Sequence, residues 1–316
     1  MHGSTAINSP SGDGQSSTFD GKLGAGQSAG LPTPSLVIAE DWTMSMKVLL
    51  TVFLASSATI GVAQGTTPQT APIKMWRLDC GTIDASLSGF SDTGLYQGQS
   101  RTLVASCYLI KHGDTYLLWD TGLDGTLAGK PKGSGRLLLK ERIVPQLARI
   151  GVKPEDVNLV GVSHHHFDHV GQLGDFPNAT LLIGKADLEV LKIPQSTGPD
   201  MSHWTGGKGK VEPLNGDKDV FGDGRVVMLA MPGHTPGHQS LYVRLASGAV
   251  LLSGDQYHFA EQLSNKGVPP FNHSRADTLA SHDRFERIAA NYNAKIIIQH
   301  EPADVAKLPA FPESAE

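Results

Sequence analysis

A chain of 316 residues with a formal net charge of −5 is long enough for one sizeable α/β domain or two small ones. It contains no block of basic residues, so neither nucleic acid nor an anionic membrane is expected as a partner. Two cysteines exclude a disulfide-built scaffold, while 36 glycines and 19 prolines provide turns in an otherwise ordinary globular composition.

Residues 1–38 are rich in Ser, Gly, Thr and Pro and lack an apolar period, so a disordered leader is expected over 1–45. Met46 and Lys47 then open an apolar run that closes on Gly61-Val62-Ala63. A positive residue, a short hydrophobic core and a small-x-small end predict a secretory signal peptide over 46–63. The run is too short for a membrane span. The expectation is therefore a periplasmic or secreted protein, without stable membrane association after signal cleavage and with translation starting at Met44 or Met46. A cytoplasmic protein with an apolar segment in its leader is the alternative. Residues 64–72 read as a linker, and 73–316 as one catalytic domain.

Within that domain, strands are expected at 74–79, 102–110 and 115–120, with His112-Gly113-Asp114 as a hairpin turn between the last two. Cys80 and Cys107 go with the first two of these strand-like segments, and either a disulfide or two buried thiols is open. Apolar residues at helical spacing predict a helix over 136–150, ending at Gly151. The run 157–162 is short, β-branched and apolar, the pattern of a strand buried in a sheet.

That strand leads into Ser163-His164-His165-His166-Phe167-Asp168-His169. The spacing H-x-H-x-D-H places three imidazoles and a carboxylate close together, all common ligands of a divalent ion such as zinc. Four such groups exceed what one tetrahedral site takes from so short a segment. Two neighbouring metals, an arrangement suited to hydrolysis, is the natural geometry. Helical character returns at 185–191. A strand at 225–231 runs into Pro232-Gly233-His234-Thr235-Pro236-Gly237-His238-Gln239-Ser240, a tight turn that fixes the direction of a histidine. A strand at 249–255 ends in Gly254-Asp255, a helix is expected over 274–291 with Leu279, Phe285 and Ile288 inward, and the strand 294–300 ends in His300. Four times an apolar strand ends in a metal-ligand residue, and open α/β sheets place their sites at that carboxyl edge.

By these motifs, H-x-H-x-D-H, P-G-H-T-P-G-H, S-G-D and the strand-terminal His300, the chain from about Ile73 to its end resembles the metallo-β-lactamase superfamily. Within it, Leu78-Asp79-Cys80-Gly81, Leu118-Trp119-Asp120-Thr121-Gly122 and P-G-H-T-P-G-H-Q-S are similar to the N-acyl-homoserine lactonases. The resemblance implies an αβ/βα sandwich, two mixed β-sheets flanked by helices, with the metals at one shared edge. It implies two Zn2+ or other divalent transition metals: one held by His164, His166 and His238, the other by Asp168, His169 and His300, with Asp255 bridging. His165 and His234 fall on positions it leaves outside the ligand set. It further implies a hydroxide attacking the carbonyl of an acylated lactone, with Asp168 moving a proton to the departing oxygen. The role would be quorum quenching.

One departure concerns the tyrosine that such lactonases place three residues after the bridging aspartate. Here that position is His258, and Tyr257 stands one residue earlier, so either His258 donates to the substrate carbonyl or a re-registered loop lets Tyr257 do so. The loop 86–96 and Trp204 are candidates for an apolar wall against an acyl chain, with core anchoring as the plain alternative for each. His273 and His282 read as surface or helix residues with no assigned role. Rival functions are an exported organophosphate or aryl-ester hydrolase, a β-lactamase, and a non-enzymatic zinc-binding protein. Asp255 counts against the last two.

Overall fold

The computed structural model describes residues 71–131, 135–193 and 201–316. The leader, the signal peptide and the linker as far as residue 70 lie outside the described residues. No helix among the described residues is long and apolar enough to cross a membrane.

Strand β1 (Ile73–Ser86) pairs antiparallel with β2 (Ser100–His112), which turns at Gly113 into β3 (Thr115–Trp119). A short β4 (Leu137–Leu138) edges β1, while β5 (Val157–Gly161), β6 (Thr180–Gly184) and β7 (Val211–Leu214) continue in parallel beyond β3. The second sheet contains β8 (Lys218–Asp219), β9 (Val226–Ala230), β10 (Gln239–Leu245), β11 (Gly248–Leu252) and β12 (Lys295–Ile297). Strand order is β4-β1-β2-β3-β5-β6-β7 in the first sheet and β12-β11-β10-β9-β8 in the second.

Helices α1 (Ile143–Arg149), α2 (Phe167–Val170), α3 (Lys185–Leu191) and α4 (Ser202–Thr205) come from the first half. The second half adds α5 (Glu261–Asn265), α6 (Arg275–Asn291) and α7 (Pro302–Val305). Between the sheets, Tyr108, Ile110, Leu117 and Trp119 meet Met228, Leu241, Val243, Val250 and Leu252. The outer face of the first sheet buries Leu109, Leu118, Val160 and Leu181 against Ile143, Leu147 and Leu188. The outer face of the second buries Leu229, Tyr242 and Leu251 against Phe285 and Ala289 of α6. Both faces of each sheet are covered, which is why β11 reads as a continuous apolar run rather than an alternating one. The expected αβ/βα sandwich is the architecture found.

Local expectations were met unevenly. The helix expected over 136–150 begins only at Ile143, because Leu137 and Leu138 pair instead with Ile83 and Thr82 of β1. A cluster of leucines satisfies a sheet edge as well as a helix face, and the free edge of β1 decides. Strands β6 and β10 were not anticipated, although β10 is the centre of the second sheet. Helix α6 starts where expected, with the Ser274 hydroxyl capping the Asp277 N–H. Phe285 points inward as foreseen, but Leu279 and Ile288 are only half-buried, and Thr278, Ser281 and His282 take the buried face with it. Cys80 and Cys107, on neighbouring strands with Cα atoms 5.9 Å apart, form a disulfide.

Candidate metal centre

Strand ends deliver the site. His164 to His169 follow β5, the His234 turn follows β9, Asp255 follows β11 and His300 follows β12. Parallel pairing of β3 with β5 and of β11 with β12 brings these ends to one edge.

Two clusters form there. In the first, His164 Nε2 lies 3.0 Å from His166 Nδ1, and His234 Nε2 lies 3.2 Å and 3.0 Å from these same atoms. In the second, His169 Nε2 and His300 Nε2 are 3.3 Å apart, with Asp168 carboxylate oxygens 3.9 Å from the former and 3.7 Å from the latter. Asp255 stands between them. Its Oδ2 is 3.3 Å from His234 Nε2, and its Oδ1 is 3.2 Å from His169 Nε2 and 3.0 Å from His300 Nε2.

One expectation needs correction. His238, assigned to the first cluster, is not in it, and His234 occupies the place. His238 is fully buried, its Nε2 accepts the Asp255 backbone N–H at 2.8 Å, and its Nδ1 faces the Met231 carbonyl at 3.1 Å. Both ring nitrogens are occupied, so the ring props the Asp255 loop and has no lone pair to offer. Gly254 fits the same account. Its φ of +54° is a backbone conformation that favours glycine, and a Cβ there would lie 2.5 Å from His238 Nε2. His165 turns away as foreseen, with its Nδ1 3.1 Å from Asp187.

The donor set suits a divalent cation. His169 Nδ1 contacts Asp120 Oδ2 at 2.9 Å, His234 Nδ1 contacts Asn272 Oδ1 at 2.9 Å, and His300 Nδ1 contacts the Val104 carbonyl at 2.7 Å. Each outer nitrogen meets an oxygen acceptor and therefore carries the hydrogen, which turns each Nε2 lone pair inward. Inward ring nitrogens and carboxylate oxygens converge there, the arrangement a cation completes. Asp255 Oδ1 is buried and faces only the ring nitrogens of the centre.

Electrostatics divide the two clusters. Burial pushes the imidazoles of His164 and His234 well below the usual histidine range and takes His166 down to about 4. At His169 and His300 burial acts in the same direction, but Asp255 and Asp168, joined at His169 by Asp120, outweigh it and raise both rings. Burial also works against charge on Asp255, yet His300, His169, His164 and His258 hold it well below the usual carboxylate range. The second cluster thus carries the greater demand for positive charge.

Of the two residues considered for the substrate carbonyl, only His258 is at the site, its Nε2 3.2 Å from Asp255 Oδ2. Tyr257 is excluded by geometry. It points under the loop, donates its hydroxyl hydrogen to Glu286 at 2.6 Å and stacks on His282. His282 is itself buried and donates from Nε2 to the Gln256 carbonyl at 2.6 Å, so it has the structural role that sequence left open.

A cavity of about 360 Å³ opens over His166, Asp168, His234, Asp255, His258 and His300. Phe90 of the 86–96 loop and Phe271 wall one side, and Ile83, Leu103 and Phe167 also line it. Phe90 meets the His258 ring edge-on at 4.7 Å. Trp204 is not part of this wall; it is buried in the core beneath the first sheet.

Sequence reasoning overlooked Asp120, Gln299 and Gln262. Asp120 also accepts the Ser163 N–H at 2.7 Å and a Gln299 Nε2 hydrogen at 2.9 Å, and Gln299 receives the Trp119 indole hydrogen at 2.9 Å. Asp120 follows an apolar strand as the four recognised groups do, so the same signal was available for it. Gln262 accepts the His258 N–H at 2.7 Å and donates to the Phe90 carbonyl at 3.0 Å, tying the site histidine to the wall. No pattern around it announced this.

An αβ/βα sandwich whose strand ends gather histidines and aspartates into two joined clusters defines a metal-dependent hydrolase architecture. Residues 101–300 match the family model described as the metallo-beta-lactamase superfamily, and the chain belongs to that superfamily. It is 29% identical to the N-acyl homoserine lactonase AttM of Rhizobium johnstonii over 266 residues, 76% of this chain and 98% of that protein. It is 28% identical to an N-acyl homoserine lactonase of Bacillus cereus, again over 76% and 98% of the two chains. Among solved structures it resembles an N-acyl homoserine lactone hydrolase with the product N-hexanoyl-L-homoserine bound at the catalytic metal center. The TM-score is 0.65 and the identity 26%, over 78% of this chain and 99% of that one. An AiiA variant of B. thuringiensis with N-decanoyl-L-homoserine at its active site matches with TM-score 0.65 and 25% identity, over 78% and 99%.

Proposed function

We propose that this protein hydrolyses the lactone ring of N-acyl-homoserine lactones, using two divalent metal ions, zinc by the preference of the donor set. The observation that carries the reading is Asp255, a single buried carboxylate facing one imidazole cluster with each oxygen. His164, His166 and His234 would hold one ion, and Asp168, His169 and His300 the other, with Asp255 shared. Such a pair supplies Lewis acidity toward an ester carbonyl and a hydroxide nucleophile at neutral pH.

The remaining work falls to side chains. His258, packed against Phe90 and stacked on His300, is placed to donate a hydrogen bond to the substrate carbonyl. Asp168 lines the cavity and is the carboxylate available to carry a proton to the ring oxygen as the C–O bond breaks. Phe90 and Phe271, in edge contact, exclude water and offer apolar surface to an acyl chain, with Phe167 and Ile83 also lining the cavity. The relatives named for homoserine lactones and their products support this choice of substrate. Export through a signal peptide over 46–63 belongs to the same proposal, supported by the disulfide, which suits an oxidising compartment.

The test is to incubate the zinc-loaded protein with lactones of varied acyl length and with nitrocefin, alongside Asp255→Ala. Ring opening abolished by the substitution is expected. Turnover that survives Asp255→Ala unchanged would sink the mechanism, and rapid nitrocefin cleavage with inert lactones would sink the substrate. The mass of the mature protein isolated from an expressing bacterium reports on export, with the residue after Ala63 expected at the amino terminus.

A further inference from the structure

Asp187 lies outside the centre just described, yet it is fully buried and surrounded by donors from two loops. Its Oδ2 accepts the His165 backbone N–H at 3.0 Å and the Thr235 hydroxyl at 2.7 Å, with His165 Nδ1 at 3.1 Å. Its Oδ1 accepts the Gly237 N–H at 2.6 Å. His165 stands between His164 and His166, and Thr235 follows His234. One carboxylate therefore grips both loops that present the first cluster, at residues directly adjoining all three of its imidazoles.

The His234 loop is also pressed against the start of α3, which carries Asp187, at this point. A Cβ on Gly184, just before α3, would meet the Gly237 carbonyl oxygen at 1.9 Å, and one on Gly237 would meet Asp187 Oδ1 at 2.8 Å. Burial alone would raise the Asp187 carboxyl, but His165, Thr235 and Gly237 outweigh it and hold the group below the usual range. An ionised acceptor among fixed donors resists displacement better than a neutral one. Asp168, His169 and His300 are not among its hydrogen-bond partners; their anchor is Asp120 at His169, together with the Val104 carbonyl at His300.

We propose that Asp187 is the positioning residue for the His164, His166 and His234 metal pocket, setting the separation of its two loops and hence the affinity for one of the two ions. This rests on the two-metal reading above. Asparagine would keep an acceptor for Gly237 but, at the other atom, set an amide hydrogen against the His165 N–H, which cannot turn away. The carboxylate acts at one remove from the ligands, as outer hydrogen-bond partners of metal sites do, where substitution costs about 10–100-fold in metal affinity.

The experiment compares the intact protein with Asp187→Asn and Thr235→Val, loaded with Co2+ alone and titrated with a chelator while visible absorption and bound metal are followed. Intact protein is expected to release two equivalents in two steps. Asp187→Asn should release one at about 10–100-fold lower chelator and the other unchanged. Thr235→Val, which removes a single donor, should shift the same step by up to about tenfold. Both variants releasing both equivalents as the intact protein does would overturn the inference, as would a parallel loss of both. If Asp187→Asn does not fold, Thr235→Val decides alone. Intact protein that binds no Co2+ would instead refute the metal reading itself, an outcome distinct from the others.

Discussion

Truncating His234 and His238 separately distinguishes a metal ligand from a prop four residues away in one turn. His238→Ala deletes a fully buried ring that accepts the Asp255 N–H at 2.8 Å. The Met231 carbonyl keeps its other donor, Gln256 Nε2 at 2.7 Å, so the group left without a partner is the Asp255 N–H. An orphaned buried donor costs about 1–3 kcal/mol, and the cavity left by the ring adds to it. A total of about 2–4 kcal/mol lowers the melting temperature of a domain of this size by roughly 5–15 °C. His234→Ala removes a contact to Asn272 Oδ1 and the edge contacts of the ring with Phe271 and His258, while its Nε2 faces the other groups of the centre. The ring lines the open cavity, where water can take its place, so its cost to the metal-free protein is about 1–2 kcal/mol. Calorimetry of metal-free protein and metal analysis after reloading give the two readouts. His234→Ala should melt closer to the intact protein and bind one equivalent fewer; His238→Ala should melt earlier and still take up two. The reverse pattern would refute this geometry and restore His238 as the ligand.

Three further outcomes follow from the site. Tyr257→Phe should retain turnover, whereas His258→Ala should lower kcat about 100-fold, the scale of a lost oxyanion donor; steady-state kinetics on a short-chain lactone compares them. Phe90→Ala should raise KM progressively with acyl length, by up to about 0.8 kcal/mol for each methylene that loses contact, and a uniform effect across chain lengths would remove Phe90 from the acyl wall. His282, taken down to about 4 chiefly by burial, binds its proton in the unfolded chain before it does in the folded one. Its contribution to stability is full above about pH 6.5 and is lost as pH falls toward 4, at most about 3 kcal/mol. Urea midpoints of metal-free protein should fall less steeply across that window in His282→Gln, the remaining slope coming from the other histidines lowered by burial.

Legibility followed the range of the interaction. Strand ends bearing His164, Asp255 and His300 could be read because each couples a local apolar run to a chemically distinctive residue. The choice between His234 and His238 could not, since both lie in one turn of like composition and only the Asp255 N–H, seventeen residues on, claims the second ring. Tyr257 and His258 pose the same problem: neighbours on an extended segment face opposite ways, and helix α6 with Glu286 takes the tyrosine. Leu137 and Leu138 suited a helix until β1 offered an unpaired edge. Trp204 read equally as wall or core, and packing beneath the first sheet settled it.

By itself, then, the amino-acid order determined the fold class, the edge at which the chemistry collects and the kind of atom collected there, because these depend on patterns within a few residues of one another. Which of two histidines turns inward, which loop residue reaches the cavity and which buried carboxylate holds two loops together were decided by the tertiary structure alone. Each depends on a hydrogen bond between groups far apart in the chain, and such a bond leaves no periodic or compositional trace in either partner.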